Sequence, residues 1–369
     1  MSAFGRTDDS ILANWWWTID RQLLVVLALV AAIGIVFVFT ASPSVAALKG
    51  LSPWHFAVRQ CVFLALGIVV LLMASLLAPL GVRRFGTGLF AIALTLLVLV
   101  PLVGTEVNGA TRWLVVGGFS IQPSELMKPA LIVVVAHLLA SRDGLTGLPA
   151  AVLPVALVVA LLLLQPDVGT ALLVTAVFCV MVFVAGLPWP LVSLLGAASV
   201  GVAALAYRAF GHVRDRIDAF LADEASFQVS RALEAVGGGG WFGRGPGEGL
   251  VKNRLPDSHA DFIFAAGVEE FGLIVGLVLV MLFAVVVIRG LVLADQQPDR
   301  FAHLAAVGLL AQFGLQAVIN LGVNVALLPA KGMTLPFVSY GGSSLLALAF
   351  GTGMALALLR RSPRMVLVR

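Results

Sequence analysis

Long apolar runs alternate with short polar connections over almost the whole chain. Each run is close to the roughly 20 residues that a helix needs to cross a bilayer. The pattern therefore predicts ten transmembrane helices, the first too long for the apolar core of a cleaved signal peptide. The runs lie at about 22–48, 56–79, 86–103, 125–140, 148–165, 168–187, 190–210, 262–288, 303–328 and 342–359.

Composition excludes a water-soluble enzyme. Of 369 residues, 60% are hydrophobic and 11% are charged, whereas about a quarter of the residues in a soluble domain are charged. The predicted fold class is an all-α integral membrane protein, with a single polytopic domain over residues 1–369. Cys61 and Cys179 lie inside apolar runs without metal-ligand or redox spacing, which indicates core positions.

Arginine placement predicts the orientation. Ten helices put both termini on one side, where most arginines fall, while the short loops opposite carry chiefly Lys49, Arg112 and Lys331. By the positive-inside rule both termini are cytoplasmic. The long connection 211–261, between helices 7 and 8, then becomes a large extracytoplasmic loop. The arginines on the terminal side are Arg6, Arg21, Arg83, Arg84, Arg142, Arg289, Arg300, Arg360, Arg361, Arg364 and Arg369.

Four polar segments, 104–124, 165–167, 211–261 and 329–341, fall on the predicted outer face. In the first, Glu125 and Lys128 are three residues apart and share a helix face. Two interpretations are open: a buried ion pair that orients helices, or a charged pocket that includes Arg112 and binds an anionic headgroup. In the second segment, Asp167 sits in a Pro/Gly turn and is predicted to be structural.

The large loop has two parts. Residues 214–236 predict one or two amphipathic surface helices, with Gln228 and Arg231 on the polar side. The glycine run 237–249, GGGGWFGRGPGEG, lacks the terminal Lys-Ser/Thr of a phosphate-binding loop. Its glycines indicate either close backbone approach to a ligand or flexibility.

The last polar segment, 329–341, holds two prolines and is followed by a second glycine after Gly341. It resembles a re-entrant segment and carries Lys331 and Ser339. Irregular backbone at membrane depth is tolerated only where it lines a cavity or packs inside protein.

Residues 252–272, KNRLPDSHADFIFAAGVEEFG, pack seven charged or titratable side chains into the mouth of an uncharged run that begins at Leu273. A carboxylate at the rim of a bilayer-length helix is costly to bury and marks a functional site, which singles out Asp261. The alternative is structural: Ser258 caps the helix and Asp261 reaches back as in a capping box.

Five motifs in order identify a family resemblance: NGATRWLVVGGFSIQPSELMK, QPDVGT, FQVSRALEAVGGGGWFGRGPGEG, KNRLPDSHADFIFAAGVEEFG and LPAKGMTLPFVSYGGSS. Together they resemble the SEDS proteins, the FtsW/RodA group, over nearly the whole chain. The Trp-rich start and KGMTLPFVSYGGSS are more similar to the division branch, FtsW, than to the elongation branch, RodA. Thr111 and Ala260 depart from the family pattern, which has a basic residue and a threonine there.

The resemblance implies a peptidoglycan glycosyltransferase of the bacterial cytoplasmic membrane, concentrated at the division site. Such an enzyme polymerises lipid II at the septum and releases undecaprenyl pyrophosphate. The implied partners are a class B penicillin-binding transpeptidase, FtsI-like, and other divisome membrane proteins, with no nucleic acid. The family's essential carboxylate maps onto Asp261.

In this interpretation Asp261 is the base on the acceptor hydroxyl of an inverting transfer. Cations meet the charge of the leaving pyrophosphate. The predicted substrate-binding residues are Arg112, Glu125, Lys128, Gln228, Arg231, Lys331 and Ser339. Glu269 is predicted to be structural. The sequence leaves open whether a divalent cation, Mg²⁺ or Mn²⁺, assists, and indicates no other cofactor.

Two rival functions follow from the same residues: a lipid II flippase, which predicts a polar path across the membrane, and a non-catalytic divisome scaffold. For the polymerase we expect Arg112, Lys128, Asp261 and 329–341 to line one membrane-open cavity. Residues 211–250 are expected to be more mobile than the flanking helices and to form a lid.

Overall fold

A computed structural model describes residues 10–107, 110–116, 119–141, 144–209, 211, 214, 218, 227–255, 257–329 and 332–360. Within these residues the chain forms twelve α-helices and three short β-strands. The first eight helices are α1 (Ile11–Thr18), α2 (Arg21–Leu48), α3 (His55–Ser75), α4 (Pro79–Val103), α5 (Pro123–Ala140), α6 (Leu148–Leu164), α7 (Val168–Val184) and α8 (Trp189–Ala209). The others are α9 (Phe227–Gly239), α10 (Ile263–Asp295), α11 (Arg300–Asn324) and α12 (Gly342–Leu358).

The apolar helices agree with the hydropathy pattern. Six described helices, α2, α3, α4, α5, α10 and α11, are long and apolar enough to cross a membrane. The shorter apolar helices α6, α7 and α12, with the first ten residues of α8, account for the remaining runs. A helical, multi-pass membrane protein is therefore confirmed. Of the arginines used for orientation, Arg6, Arg142, Arg361, Arg364 and Arg369 lie outside the described residues.

A small antiparallel sheet corrects the all-α prediction. Strands β1 (Thr105–Val107), β2 (Ala110–Val116) and β3 (Phe119–Ile121) pair in the order β1-β2-β3, with β2 in the centre. Thr, Trp and Val in β2 favour extended backbone, and the segment is too short and too polar to span the bilayer. The sheet caps one end of the bundle and carries Arg112.

Helices α5 and α11 form the centre of the bundle. In their apolar windows 72% and 67% of residues are buried, against 22–33% in the other four long helices. Helix α11 packs against α5, α7, α10 and α12. Polar side chains on α5 or α11 therefore face protein and not lipid.

Acidic residues begin several helices. Asp167 accepts a hydrogen bond from the Thr170 N–H at 3.3 Å and caps α7, which confirms its structural role. Asp20 caps α2 and also pairs with Arg289 on α10. That pair ties the two helices together at the end of the bundle opposite the sheet.

Helix α10 is broken at Gly272, whose φ of 86° and ψ of 167° are far from helical values. A break inside a membrane helix exposes backbone groups that need partners. The glycine run supplies them. Arg244 N–H donates to Glu269 O and Gly245 N–H to Glu270 O, both at 3.0 Å, while Leu273 N–H donates to Gly240 O at 2.9 Å.

Side-chain contacts also fix the connection after the glycine run. The buried carboxylate of Glu269 accepts the backbone N–H groups of Leu250, Val251 and Lys252 at 2.7–2.9 Å. This confirms the structural role predicted for Glu269. The predicted lid is wrong for 237–249, because hydrogen bonds and close backbone packing hold that part against α10. Most of 211–226 lies outside the described residues.

We predict that Gly243→Ala lowers the free energy of unfolding by about 2 kcal/mol or more. Gly243 has a φ of +80°, and a Cβ there would overlap the backbone carbonyl of Glu270. Thermal unfolding of the detergent-solubilised protein measures the effect. Gly237→Ala in α9 is the control, since a Cβ there meets no atom within 4 Å. Equal stability of the two variants would contradict the inserted-loop arrangement.

Candidate functional site

Asp261 lies in a turn, 257–262, directly before α10. The helix begins at Ile263, with Phe262 at the N-cap position and no hydrogen bond from a capping side chain. Ser258 is buried, and its hydroxyl makes no hydrogen bond within the described residues. The capping-box interpretation is therefore wrong. One N–H of the first turn of α10 is instead bonded by Asn324 of α11, whose Oδ1 accepts the Ala265 N–H at 3.0 Å.

A column of buried amides on α11 supports the Asp261 turn. Gln312, Gln316, Asn320 and Asn324 are four residues apart, which places them on one face of the helix. Asn320 Nδ2 and Asn324 Nδ2 donate to the backbone carbonyl of Asp261 at 2.9 and 3.0 Å. Two donors on one carbonyl fix the backbone from which the Asp261 carboxylate projects.

Residues 332–341 pack against the same turn from the other side. Asn320 Nδ2 also donates to Met333 O at 2.6 Å, and Tyr340 N–H donates to His259 O at 2.9 Å. A Cβ on Gly332 would lie 3.5 Å from Asp261 Oδ2, so this segment borders the carboxylate.

Ser339 links the two segments directly. It is buried, donates to Ala260 O at 2.7 Å and accepts the Leu335 N–H at 2.7 Å. The structure therefore gives this predicted substrate-binding residue a backbone-holding position. Lys331, predicted beside it, lies outside the described residues.

Lys128 and Glu125 form the predicted ion pair near the start of α5. Lys128 is 3% exposed, and its Nζ lies 2.9 Å from Glu125 Oε1 and 2.9 Å from Gln316 Oε1. Gln316 Nε2 donates in turn to Thr334 O at 3.0 Å. One amide therefore connects Lys128 to the segment that borders Asp261.

A cavity of about 10 Å³ lies beside Lys128, between α5, α6, α7 and α11. It is otherwise apolar apart from Gln312, and is about the size of one water molecule. Neither Arg112 nor Asp261 lines it. The larger membrane-open cavity predicted around these residues stays a prediction.

Arg112 contacts a different part of the chain. Its guanidinium donates to the carbonyls of Gln165, at 3.1 Å, and Pro166. Gln165 Nε2 continues the connection to Leu97 O at 2.7 Å. The structure thus joins Arg112 to the α6–α7 turn, whereas the predicted pocket joins it to Lys128.

Gln228 and Arg231 lie on α9, as predicted for an amphipathic helix. Arg231 pairs with Glu234 on the same helix and lies over the Phe227 ring, 5.3 Å from its centroid. Gln228 is half-buried. No described contact brings either residue to the Asp261 turn.

Sequence reasoning missed three functional or supporting groups. The four amides of α11 carried a usable signal, since polar residues four apart in an apolar run mark one buried face. The buried ion pair between Lys252 and Glu270 joins residues 18 apart across a loop, and no helical spacing reveals it. Gln60 on α3 donates to Ser339 O at 3.2 Å, a contact set only by tertiary packing.

His259 adds no cation to the site. Its ring is buried between Phe56 and Tyr340, with centroid distances of 4.3 and 5.2 Å. This burial lowers the pKa of His259 to about 4, so the imidazole is neutral near pH 7. Its role in the turn is packing and backbone support.

Among the described residues, no group of three or more His, Cys, Asp or Glu side chains is placed to hold a metal ion. That finding concerns a site built from protein ligands. Mg²⁺ is often held by one or two carboxylates together with substrate phosphates, which is a separate case.

The sequence and the fold are similar to those of known proteins. Residues 20–363 match the family model described as cell cycle protein, FtsW/RodA/SpoVE. The "Probable peptidoglycan glycosyltransferase FtsW" of Caulobacter vibrioides is 45% identical over 367 residues, covering 98% of this chain and 94% of that protein. Thermus thermophilus rod shape determining protein RodA is 34% identical, with a TM-score of 0.68 and coverage of 93% and 97%.

A further solved structure extends the comparison. A chain of the structure described as "Structural coordination of polymerization and crosslinking by a peptidoglycan synthase complex" is 32% identical, with a TM-score of 0.79. The match covers 93% of this chain and 98% of that one. Sequence and fold therefore agree over almost the full length, and the chain belongs to the FtsW/RodA/SpoVE family.

Proposed function

We propose that this chain is a peptidoglycan glycosyltransferase that polymerises lipid II into glycan strands at the division septum and releases undecaprenyl pyrophosphate. The names of its relatives support the activity. The observation that carries it within the chain is the carboxylate of Asp261, on a turn whose backbone is held by two buried amides. A general base must be positioned before its pKa matters.

The membrane arrangement that we propose has ten transmembrane helices, both termini in the cytoplasm and the 211–261 connection outside. Contacts between connections support it. The sheet reaches the α6–α7 turn through Arg112, and the 332–341 segment reaches the Asp261 turn through Ser339. Alternation of the helices then puts all these connections at one end of the bundle, where a lipid-linked sugar would lie.

In the proposed reaction, a hydroxyl of the acceptor sugar attacks the anomeric carbon of the donor. Asp261 accepts the hydroxyl proton, the new glycosidic bond forms, and the bond to the lipid pyrophosphate breaks with inversion. The leaving group departs as an anion, so a second carboxylic acid of the kind that glycosidases use is unnecessary.

Lys128 is a buried cation that Gln316 connects to the segment 332–341, which borders Asp261. We assign it electrostatic stabilisation of the pyrophosphate, with Glu125 holding it in place. Arg112 is a weaker candidate, because its described contacts lead to the α6–α7 turn and not to the segment beside Asp261.

The proposed partners are a class B penicillin-binding transpeptidase, FtsI-like, and other divisome membrane proteins, at the division site of the inner membrane. Similarity to a chain of a solved peptidoglycan synthase complex supports an assembly of this kind. No nucleic-acid partner is proposed.

A lipid II flippase is the second candidate, because one observation favours it. The buried amide column from Gln312 to Asn324 covers about 18 Å of α11, since a helix rises about 1.5 Å per residue. Purified protein with lipid II and a partner transpeptidase separates the functions. Glycan chains support the polymerase, lipid movement without polymer supports the flippase, and neither supports a scaffold.

We expect Asp261→Asn to fold normally and to lose polymerisation by about 100-fold or more, because an amide cannot accept the proton. The matched control is Asp257→Asn, on the same turn. Asp257 is partly exposed and lies 3.8 Å from Lys49, so its loss removes only a surface ion pair. Substantial polymer from well-folded Asp261→Asn would rule out the catalytic assignment.

Variants of Lys128 should affect the stability of the fold and the rate of polymerisation differently. Lys128→Met strands the buried Glu125 carboxylate and should destabilise the protein by about 3–5 kcal/mol. Adding Glu125→Gln should restore the melting temperature but not the rate of polymerisation, because the cation is still missing. Recovery of the rate in the double variant would show that Lys128 only completes an ion pair.

Asn320→Leu should lower kcat about 10- to 100-fold with little change in KM, because it removes one of the two donors on the Asp261 carbonyl and the bond to Met333 O, which displaces the base. Rates are measured per folded molecule over a range of lipid II concentrations. Gln312→Leu removes another buried amide from the same face of α11 and should leave kcat nearly unchanged. Equal losses in both variants would indicate a general packing effect.

A further inference from the structure

A second cavity lies between α2, the start of α3 and residues 246–253. Its volume is about 570 Å³, within the range of about 300–1,000 Å³ for small-molecule sites. One wall is the last turns of α2, a second is Trp54 at the start of α3, and a third is the glycine run at Pro246–Gly247. Lys252 and Asn253 form its floor.

Its charge disfavours an anionic ligand. Among the described residues that line it, Lys252 is the one charged side chain, and it is 4% exposed. Its ammonium is paired with the buried carboxylate of Glu270 and donates to Thr40 O at 2.9 Å. The positive charge is therefore neutralised inside the protein, so a phosphate or pyrophosphate would find no free cation among these lining residues.

Neutral hydrogen-bonding groups remain. The Ser44 hydroxyl donates to Asn253 Oδ1 at the cavity wall, and the Asn253 amide bonds Gly249 O at a long 3.3 Å. Pro43 has no N–H to donate to the carbonyl of Phe39, so α2 leaves that carbonyl without its helical partner. A bare acyl chain would leave the Phe39 carbonyl without a hydrogen-bond partner, which costs free energy.

The cavity also offers aromatic faces. Trp54 is 52% exposed and Phe39 is 37% exposed, with ring centroids 6.0 Å apart. The electron-rich face of an aromatic ring attracts the weakly positive C–H groups on the face of a sugar ring. Aromatic faces combined with neutral amide and hydroxyl groups suit an uncharged saccharide.

Its position connects it to the reaction. Asn253 lies on the same connection as Asp261, eight residues before it, and Lys49 at the end of α2 lies 3.8 Å from Asp257 of the Asp261 turn. Glycosyl transfer needs two saccharides at once, and both extend beyond the acceptor hydroxyl and the donor pyrophosphate that are assigned to Asp261 and Lys128. We propose that this cavity binds a neutral saccharide unit of the glycan strand, a proposal that rests on the polymerase function above.

The direct test is saturation-transfer NMR on the full-length protein in nanodiscs, with a neutral N-acetylglucosamine oligosaccharide that carries neither lipid nor phosphate. We expect binding to the wild type, weakened about fivefold or more by Trp54→Leu or Asn253→Leu, since each removes a contact worth about 1 kcal/mol. Trp241→Leu is the matched control: this tryptophan is 62% exposed and does not line the cavity. No binding by the wild type, or equal binding by all variants, would overturn the proposal.

A second measurement tests the role in polymerisation. With lipid II and a partner transpeptidase, Trp54→Leu and Asn253→Leu should make shorter glycan strands than Trp241→Leu. Strands of unchanged length would overturn that role. Failure of the wild type to make any polymer would instead overturn the polymerase function, because saccharide binding is measured without catalysis.

The competing occupant is a membrane lipid. A photoreactive amino acid at Ser44 should be protected from crosslinking to lipid by the oligosaccharide. Crosslinking to an acyl chain that the oligosaccharide does not reduce would assign the cavity to lipid and overturn the saccharide proposal.

Discussion

The structure depends on one constraint: irregular backbone at membrane depth must find hydrogen-bond partners inside the protein. Buried side chains meet that need at the candidate site. Asn320 and Asn324 bind the carbonyl of Asp261, and Ser339 binds that of Ala260. Gln316 binds the carbonyl of Thr334. The polar groups in the bundle therefore serve first to make non-helical backbone possible, and the candidate base projects from the backbone they hold.

The same constraint explains the glycine run. At the break in α10 the backbone groups lack helical partners, and the backbone of the glycine run supplies them. Gly243 and Gly272 meet with their backbones almost in contact, at positive φ values of 80° and 86°. A side chain at either position would separate the two segments. The glycines therefore fix the loop in place, the opposite of the flexibility that their number suggests.

Much of the fold was predictable, because hydropathy alone locates the membrane helices, and the Glu125–Lys128 pair follows from helical spacing. The hydrogen-bond partners of the polar side chains could not be predicted. The sequence predicts Arg112 as a cation that binds a ligand. In the structure its guanidinium instead donates to backbone carbonyls of a turn more than 50 residues away. Ser258 has the spacing of a helix cap, but an amide from α11 performs that task. Local patterns cannot show which distant backbone groups lack partners.

The buried charges of the bundle have two different roles, one structural and one at the candidate site. Lys252 and Glu270 neutralise each other and hold α2 against α10. The pair therefore stabilises the fold and adds no net charge to the site. Lys128 shares its charge with one carboxylate and one amide, and that amide also holds the segment beside Asp261. A change in what Lys128 binds therefore alters the hydrogen bonds of Gln316 and, through them, the position of the Thr334 backbone. Electrostatic stabilisation of a leaving anion and placement of the base thus depend on the same buried face of α11.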